Sequence, residues 1–131
     1  MTGLDTNVLL RYFLDDDPLQ SSLARRIMSS LTIADPGWIG LPTVLELVWV
    51  LKCKDRNQRS AIASTLDRLL AQDAIVVEQA HVVALAVRRF RFSRADFADC
   101  LIAASARAAG CGKTVTFDRV AARDAGMQLI A

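Results

Sequence analysis

The sequence predicts an α/β fold built on a parallel sheet, and three observations carry that expectation. Short apolar runs of strand length alternate with longer helix-length segments from one end of the chain to the other. Breakers such as Asp35-Pro36-Gly37 fall between those segments. No repeat, low-complexity tract or linker interrupts the 131 residues, so a single domain over 1–131 is expected, with enough apolar material for a core. Strands that alternate with helices give a parallel sheet, and such sheets take ligands at the carboxyl ends of their strands.

The elements follow in order. Residues 2–5 read as a short first strand and 7–13 as a first helix. Asp15-Asp16-Asp17-Pro18 makes a turn and starts a helix over 18–30, where Leu19, Leu23, Ile27 and Met28 recur at helical spacing. A short strand is expected around 38–41. Pro42-Thr43 opens a helix over 43–52 that is apolar almost all round, the pattern of a buried helix. Residues 56–70 are amphipathic, with Ile62, Leu66, Leu69 and Leu70 turned inward. Then come a strand at 74–77, a helix at 81–90, a longer helix at 93–109 ended by Gly110, a strand at 113–117 and a last strand at 127–130.

Composition narrows the partners only a little. A net charge of +2 does not demand nucleic acid, but arginine outnumbers lysine, and Arg88, Arg89, Arg91 and Arg94 crowd one stretch. Guanidinium groups grip phosphates in a planar fork that ammonium groups lack. Cys53, Cys100 and Cys111 are odd in number and not closely paired, which argues against a disulfide framework or a zinc site and fits reduced thiols. The chain shows no basic leader followed by an apolar core, and no apolar run of membrane-spanning length. A cytoplasmic protein without a membrane partner is expected.

Four acids carry the chemistry. Asp5 lies in GLDTNVLL, Glu46 in TVLELVWVL, Asp99 in ADFADCLIAA and Asp118 in TVTFDRV, segments otherwise suited to burial. An ionised carboxylate leaving water without a partner costs several kcal/mol or more, and a divalent cation is a common remedy. Asp5 and Asp118 both fall at the carboxyl end of an expected strand. Helix capping is the competing explanation. Thr43-Val-Leu-Glu46 and Ser93-Arg-Ala-Asp96 both match a capping box, and Asp118 would cap a helix beginning at Arg119. On a helix started near Ser93, Asp99 lies in the second turn, too deep for a cap, and faces Ala103 and Ala106. Thr6, Asn7 and Thr116 suit either hydrogen bonding around carboxylates and metal waters or ordinary turn chemistry.

These residues resemble the PIN-domain ribonucleases, and in detail the VapC-like toxins of type II toxin–antitoxin systems. The likeness rests on LDTNVLLRYFLDDDP at the start, ELVWVL at 46–51, ADFADCLIAASARAAGC at 95–111 and TFDR at 116–119, in that order. It implies a three-layer α/β/α sandwich with a central parallel sheet. It also implies that Asp5, Glu46, Asp99 and Asp118 hold metal, that Thr6, Asn7 and Thr116 support them, and that Asp96 is a cap or a further acid. A homodimer, a cognate antitoxin protein, an RNA substrate and products with a 5′-phosphate and a 3′-hydroxyl follow from the same likeness.

Oxygen-only ligands select hard ions, so Mg²⁺ or Mn²⁺ is expected, as one ion or two. His81 is the single histidine, so a histidine pair cannot shuttle the protons, and its helix position reads as surface or packing. Arg11, Arg119 and Arg123 neighbour the acids in sequence and are the candidates for RNA phosphate contact, ahead of the 88–94 cluster; solvated helix faces carry such arginines equally well. Phe90 and Phe92 would stack on bases or pack in the core. Gly110-Cys-Gly-Lys113-Thr114 is not a phosphate-binding loop, because Arg107 stands where its first glycine belongs and a helix precedes it. The leading expectation is an Mg²⁺- or Mn²⁺-dependent endoribonuclease toxin. A catalytically silent PIN-like module that holds RNA or protein is the alternative, and a small acidic-site phosphatase or DNA nuclease a more remote one.

Overall fold

The computed structural model describes residues 1–54 and 59–131. The chain forms two compact units, Met1–Asn57 with Arg68–Glu78, and Gln58–Asp67 with Gln79–Ala131. The fold is α/β, with every strand pairing parallel, as expected.

In the first unit, β1 (Thr2–Gly3), β2 (Gly37–Ile39) and β3 (Ile75–Val77) form a sheet in the order β1-β2-β3, with Gly3 opposite Trp38 and Trp38 opposite Val76. Gly37 on the middle strand is closely packed: an added Cβ would come 2.8 Å from Leu4 Cδ1 and from Leu31 Cδ1, so both leucines would have to shift. Helices α1 (Thr6–Leu14), α2 (Pro18–Ser30) and α3 (Leu41–Lys54) follow their strands and turns. Leu9, Ile39, Val44 and Leu47 are fully buried and make the centre of this unit's core. The Asp-rich turn behaves as read: Asp15 takes a left-handed φ of 52°, and Asp17 caps α2 by accepting from the Gln20 N–H at 3.0 Å, with Pro18 in the first turn.

Exposure on two helices of this unit is decided by packing. Of the four apolar residues spaced along α2, Leu19, Leu23 and Ile27 are 72%, 47% and 43% exposed, while Met28 turns inward with Ser21 and Ala24. Helical spacing identifies a face, but not whether the same chain covers it. For the same reason α3 is not buried all round, since Leu45 and Trp49 are exposed beside buried Val44, Leu47, Val48 and Leu51.

Helix α4 (Arg59–Ala71) opens in the second unit and ends in the first, with Ile62, Leu66 and Leu69 buried as expected and Leu70 only half-buried. Residues 56–58 of the expected helix lie outside the described residues. The second unit continues through α5 (Ala80–Arg91), α6 (Phe97–Ala108), β4 (Val115–Thr116), α7 (Arg119–Asp124) and β5 (Gln128–Leu129), with Val115 opposite Gln128 and Thr116 opposite Leu129. Strands are shorter than expected throughout. Helices α5 and α6 pack through Val83, Val87, Phe90, Phe97 and Cys100, all nearly inaccessible, and the Phe90 and Phe97 rings meet edge to face at 5.7 Å. Phe90 is therefore core, not a base-stacking platform.

Helix α6 ends as the sequence indicates. Gly110 has φ 99°, its N–H donates to Arg107 O at 3.0 Å, and the Cys111 N–H donates to Ala106 O at 2.9 Å. This double bond pattern closes off a helix through a residue in the left-handed region, and glycine adopts that region without strain. Among the described residues no helix is long and apolar enough to cross a membrane.

Candidate functional site

The start of α6 differs from expectation, and the difference reshapes the acidic site. The helix begins at Phe97, with Asp96 at the N-cap position in an extended conformation. Ser93 lies outside the helix and accepts from the Ala95 N–H at 3.3 Å, so the capping box counted from Ser93 does not form. Asp99 is then in the first turn, not the second. That position favours a negative charge, because the unpaired N–H groups of the first turn make a positive end.

Arg59 sets this corner. Its Nη1 donates to Phe90 O and to Ala95 O, both at 2.8 Å, and its guanidinium lies 4.1 Å from the centre of the Phe90 ring. One cation thus ties the end of α5 to the residue before Asp96. Sequence reasoning missed it, because Phe90 and Ala95 lie more than thirty residues further along the chain. Its role here is positioning.

Asp118 follows β4 by two residues and caps α7, its Oδ1 accepting from the Ala121 N–H at 2.9 Å. The capping reading is therefore realised, yet a carboxylate offers about four acceptor sites and this bond uses one. Thr116 Oγ1 accepts from the Asp118 N–H at 3.0 Å. It supports the backbone of the acid rather than its carboxylate.

The structure brings Asp99 within electrostatic reach of both Asp96 and Asp118. Burial pushes the Asp99 carboxyl above the ordinary carboxylate value, and the charges of Asp96 and then Asp118 push it further. A half-buried carboxylate with like charges near it is in a strain that a cation would relieve.

In the first unit, Asp5 occupies the N-cap position of α1, two residues beyond β1, without a capping bond from its side chain. Thr6 is buried and Asn7 exposed, and neither hydrogen-bonds to Asp5. Glu46 is exposed on α3. The Thr43 capping box does not form, since α3 starts at Leu41 and its N-terminus is held by Glu78, whose Oε1 accepts from the Leu41 N–H at 2.8 Å. Glu78 was also missed; an acid directly after the strand Ile-Val-Val was its only signal.

The expectation that these acids are buried is corrected. Asp5, Glu46 and Asp118 are exposed and only Asp99 is partly covered, because each projects from an element end or an outer helix face. Among the described residues no group of three or more acid, thiol or imidazole side chains stands ready to hold a metal ion. The donor chemistry still fits one: carboxylate oxygens alone suit hard divalent cations, and the tension on Asp99 is of the sign that a cation reverses.

Of the arginines put forward for RNA, Arg11 is occupied by Gln20 at 2.7 Å and Asp16 at 2.8 Å, and Arg123 pairs with Asp124 at 3.0 Å. Arg119 is exposed at the start of α7. His81 is exposed on α5, as read. Cys100 is buried and its thiol is pushed up to about 11, so it stays protonated at neutral pH.

Comparison with known proteins gives one family. Residues 4–126 match the family model described as PIN domain. Searches of curated proteins and of solved structures returned no match.

Proposed function

Because the chain belongs to the PIN-domain family, whose members are generally nucleases, we propose that it is a divalent-metal-dependent endoribonuclease and the VapC-like toxin of a type II toxin–antitoxin pair. The observation that carries the reading is the trio of Asp96, Asp99 and Asp118, in which the half-buried Asp99 is raised by burial and by its two neighbours. The proposal treats residues 1–131 as one PIN domain acting in the cytoplasm.

Asp99 and Asp118 are the proposed ligands of Mg²⁺ or Mn²⁺ in the second unit, with Asp96 beside them. Asp5 and Glu46 are required for the same chemistry on the family likeness. A bound divalent ion supplies positive charge to the phosphodiester and lowers the pKa of water at the site. The protein's own part is to hold the carboxylates. The Ala121 N–H orients Asp118, Thr116 anchors its backbone, and Arg59 fixes the corner from which Asp96 and Asp99 project. Arg119, next to Asp118, is the best placed cation for a substrate phosphate.

The partner reading belongs to the same proposal. A homodimer and an antitoxin are supported by the exposed Leu19, Leu23 and Ile27 on α2 and by Trp49 on α3, which is 66% exposed.

Incubation of the purified chain with a pool of cellular RNA tests the reading. Cleavage should need Mg²⁺ or Mn²⁺, stop with a chelator and resume when the ion is restored. Tight Mn²⁺ binding without cleavage of any RNA would favour the silent module instead.

A further inference from the structure

The second unit contains a cavity of about 720 Å³ that the acidic site does not use. It opens between α5 from Leu85 onward, α6 from Cys100 to Arg107, the Cys111–Thr114 segment before β4, and the link from α7 to β5. Arg88, Arg89, Arg107 and Lys113 line it, and no acid does among the described residues. Its cations lie toward the C-terminal end of α6: Arg107 is eight residues beyond Asp99, about 12 Å along the axis, while Cys100, next to Asp99, lines the other end of the wall.

Cations near helix C-termini are common, because the carbonyl end of a helix favours them. That rule alone leaves them pointing to water or paired with acids, as Arg91 is with Asp67 at 2.8 Å and Arg123 with Asp124. Arg88, Arg107 and Lys113 have no ion-pair partner among the described residues. Arg89 is held in place: its Nη1 donates to Asp124 O at 3.1 Å, and its guanidinium rests against Gly126, where an added Cβ would come within 3.1 Å of Nη1. Four cations face one hollow with nothing of opposite sign in its wall.

The rest of the wall limits the ligand. Leu85 and Phe92 are apolar and exposed, Phe92 at 78%, while Ala103, Ala104 and Gly112 add little side-chain bulk to the wall. The volume exceeds what a lone phosphate fills and suits a molecule with an anionic end and a flat apolar end. We propose that this cavity is a nucleotide site, with phosphates on Arg88, Arg89, Arg107 and Lys113 and the base against Leu85 and Phe92. Arginine forks match phosphate oxygens, and aromatic or guanidinium faces accept any base by stacking. The nucleotide comes either free or as one residue of an RNA strand. The site is independent of the proposed cleavage chemistry.

Calorimetric titration of the full chain in chelator and low salt, which leaves the acidic site without metal, tests the assignment. ATP is expected to bind at one per chain, pyrophosphate more weakly, and adenosine not measurably. Arg107→Glu with Lys113→Glu should weaken ATP by about tenfold or more, the scale of losing charge-assisted bonds. Gly112→Leu adds bulk to the cavity wall where a Cβ meets open space, keeps all four cations in the chain, and should also weaken ATP binding; an unchanged melting curve guards against misfolding. Binding of a short ribo-oligonucleotide but not of ATP, lost in the same variants, supports the site with the strand as source. No binding of either probe, or binding indifferent to both variants, overturns it. So does capture of an acidic peptide at this cavity without nucleotide binding.

Discussion

At the turn before α2, the Arg25 hydrogen bond holds Asp15 below its ordinary value and the Arg11 bond does the same for Asp16, with Lys54 adding its charge at 3.5 Å. At the mouth of α6 the same residue type meets the opposite surroundings, and Asp99 is pushed up by burial, Asp96 and Asp118. Both stretches look alike as strings of acids. The first is already paired with arginines of its own chain, whereas in the second Asp99 is raised by burial and like charge. Acid count therefore says little about metal chemistry; the sign of the surrounding charge says more.

The largest effect that would break this comparison is catalytic. Asp99→Asn and Asp118→Asn should each lower RNA cleavage by more than about a hundredfold, since even groups that only orient a metal ligand cost about 10–100-fold. Asp15→Asn and Asp16→Asn should cut RNA as the wild type does. Equal loss at both places, measured on the same RNA, would end the distinction.

A smaller effect separates Asp118's two jobs. Asp118→Ala removes the cap of α7 and should cost about 1 kcal/mol by denaturant unfolding, while Asp118→Asn, itself a good cap, should stay within a few tenths. Both should lose cleavage. Asp17→Ala should cost about 1 kcal/mol as well, because it caps α2, but should keep cleavage.

The smallest effect is in the pH dependence of stability. Asp99 holds its proton more tightly folded than unfolded, so its contribution worsens as pH rises from the unfolded value of 3.8 through the raised folded value. Asp99→Asn should therefore melt about 2 °C higher than wild type at neutral pH without metal, a surface-sized change in a domain of this length. That gain should shrink as the pH is lowered toward 3.8. Asp15 and Asp16 have lowered values, so their contribution is present above 3.8 and is lost as pH falls through the folded values. Both are exposed, and replacing them at neutral pH should leave the melting temperature unchanged. A pH-independent gain for Asp99→Asn would remove the tension on which the site rests.

Local chemistry explains which parts were legible. Breakers, caps and apolar periods act within a few residues, so Asp17 capping α2, Gly110 closing α6, and the order of strands and helices could be read from the string. Asp118 at the end of its strand was legible for the same reason. The starts of α3 and α6 were misplaced because their ends are held from afar, by Glu78 on Leu41 and by Arg59 on Ala95. Burial was misjudged for a related reason. The periods of α2 and α3 name a face, but only packing decides whether Leu23 or Trp49 meets core or water.

The sequence by itself determined the alternation of elements and the PIN-type motifs, because those depend on residue type and short spacing. Tertiary structure alone decided that Arg11 and Arg123 are engaged, that Arg59 locks the corner before Asp96, and that four cations surround one hollow. Charges act through space, so which acids are relieved and which are left in repulsion depends on the neighbours that folding supplies.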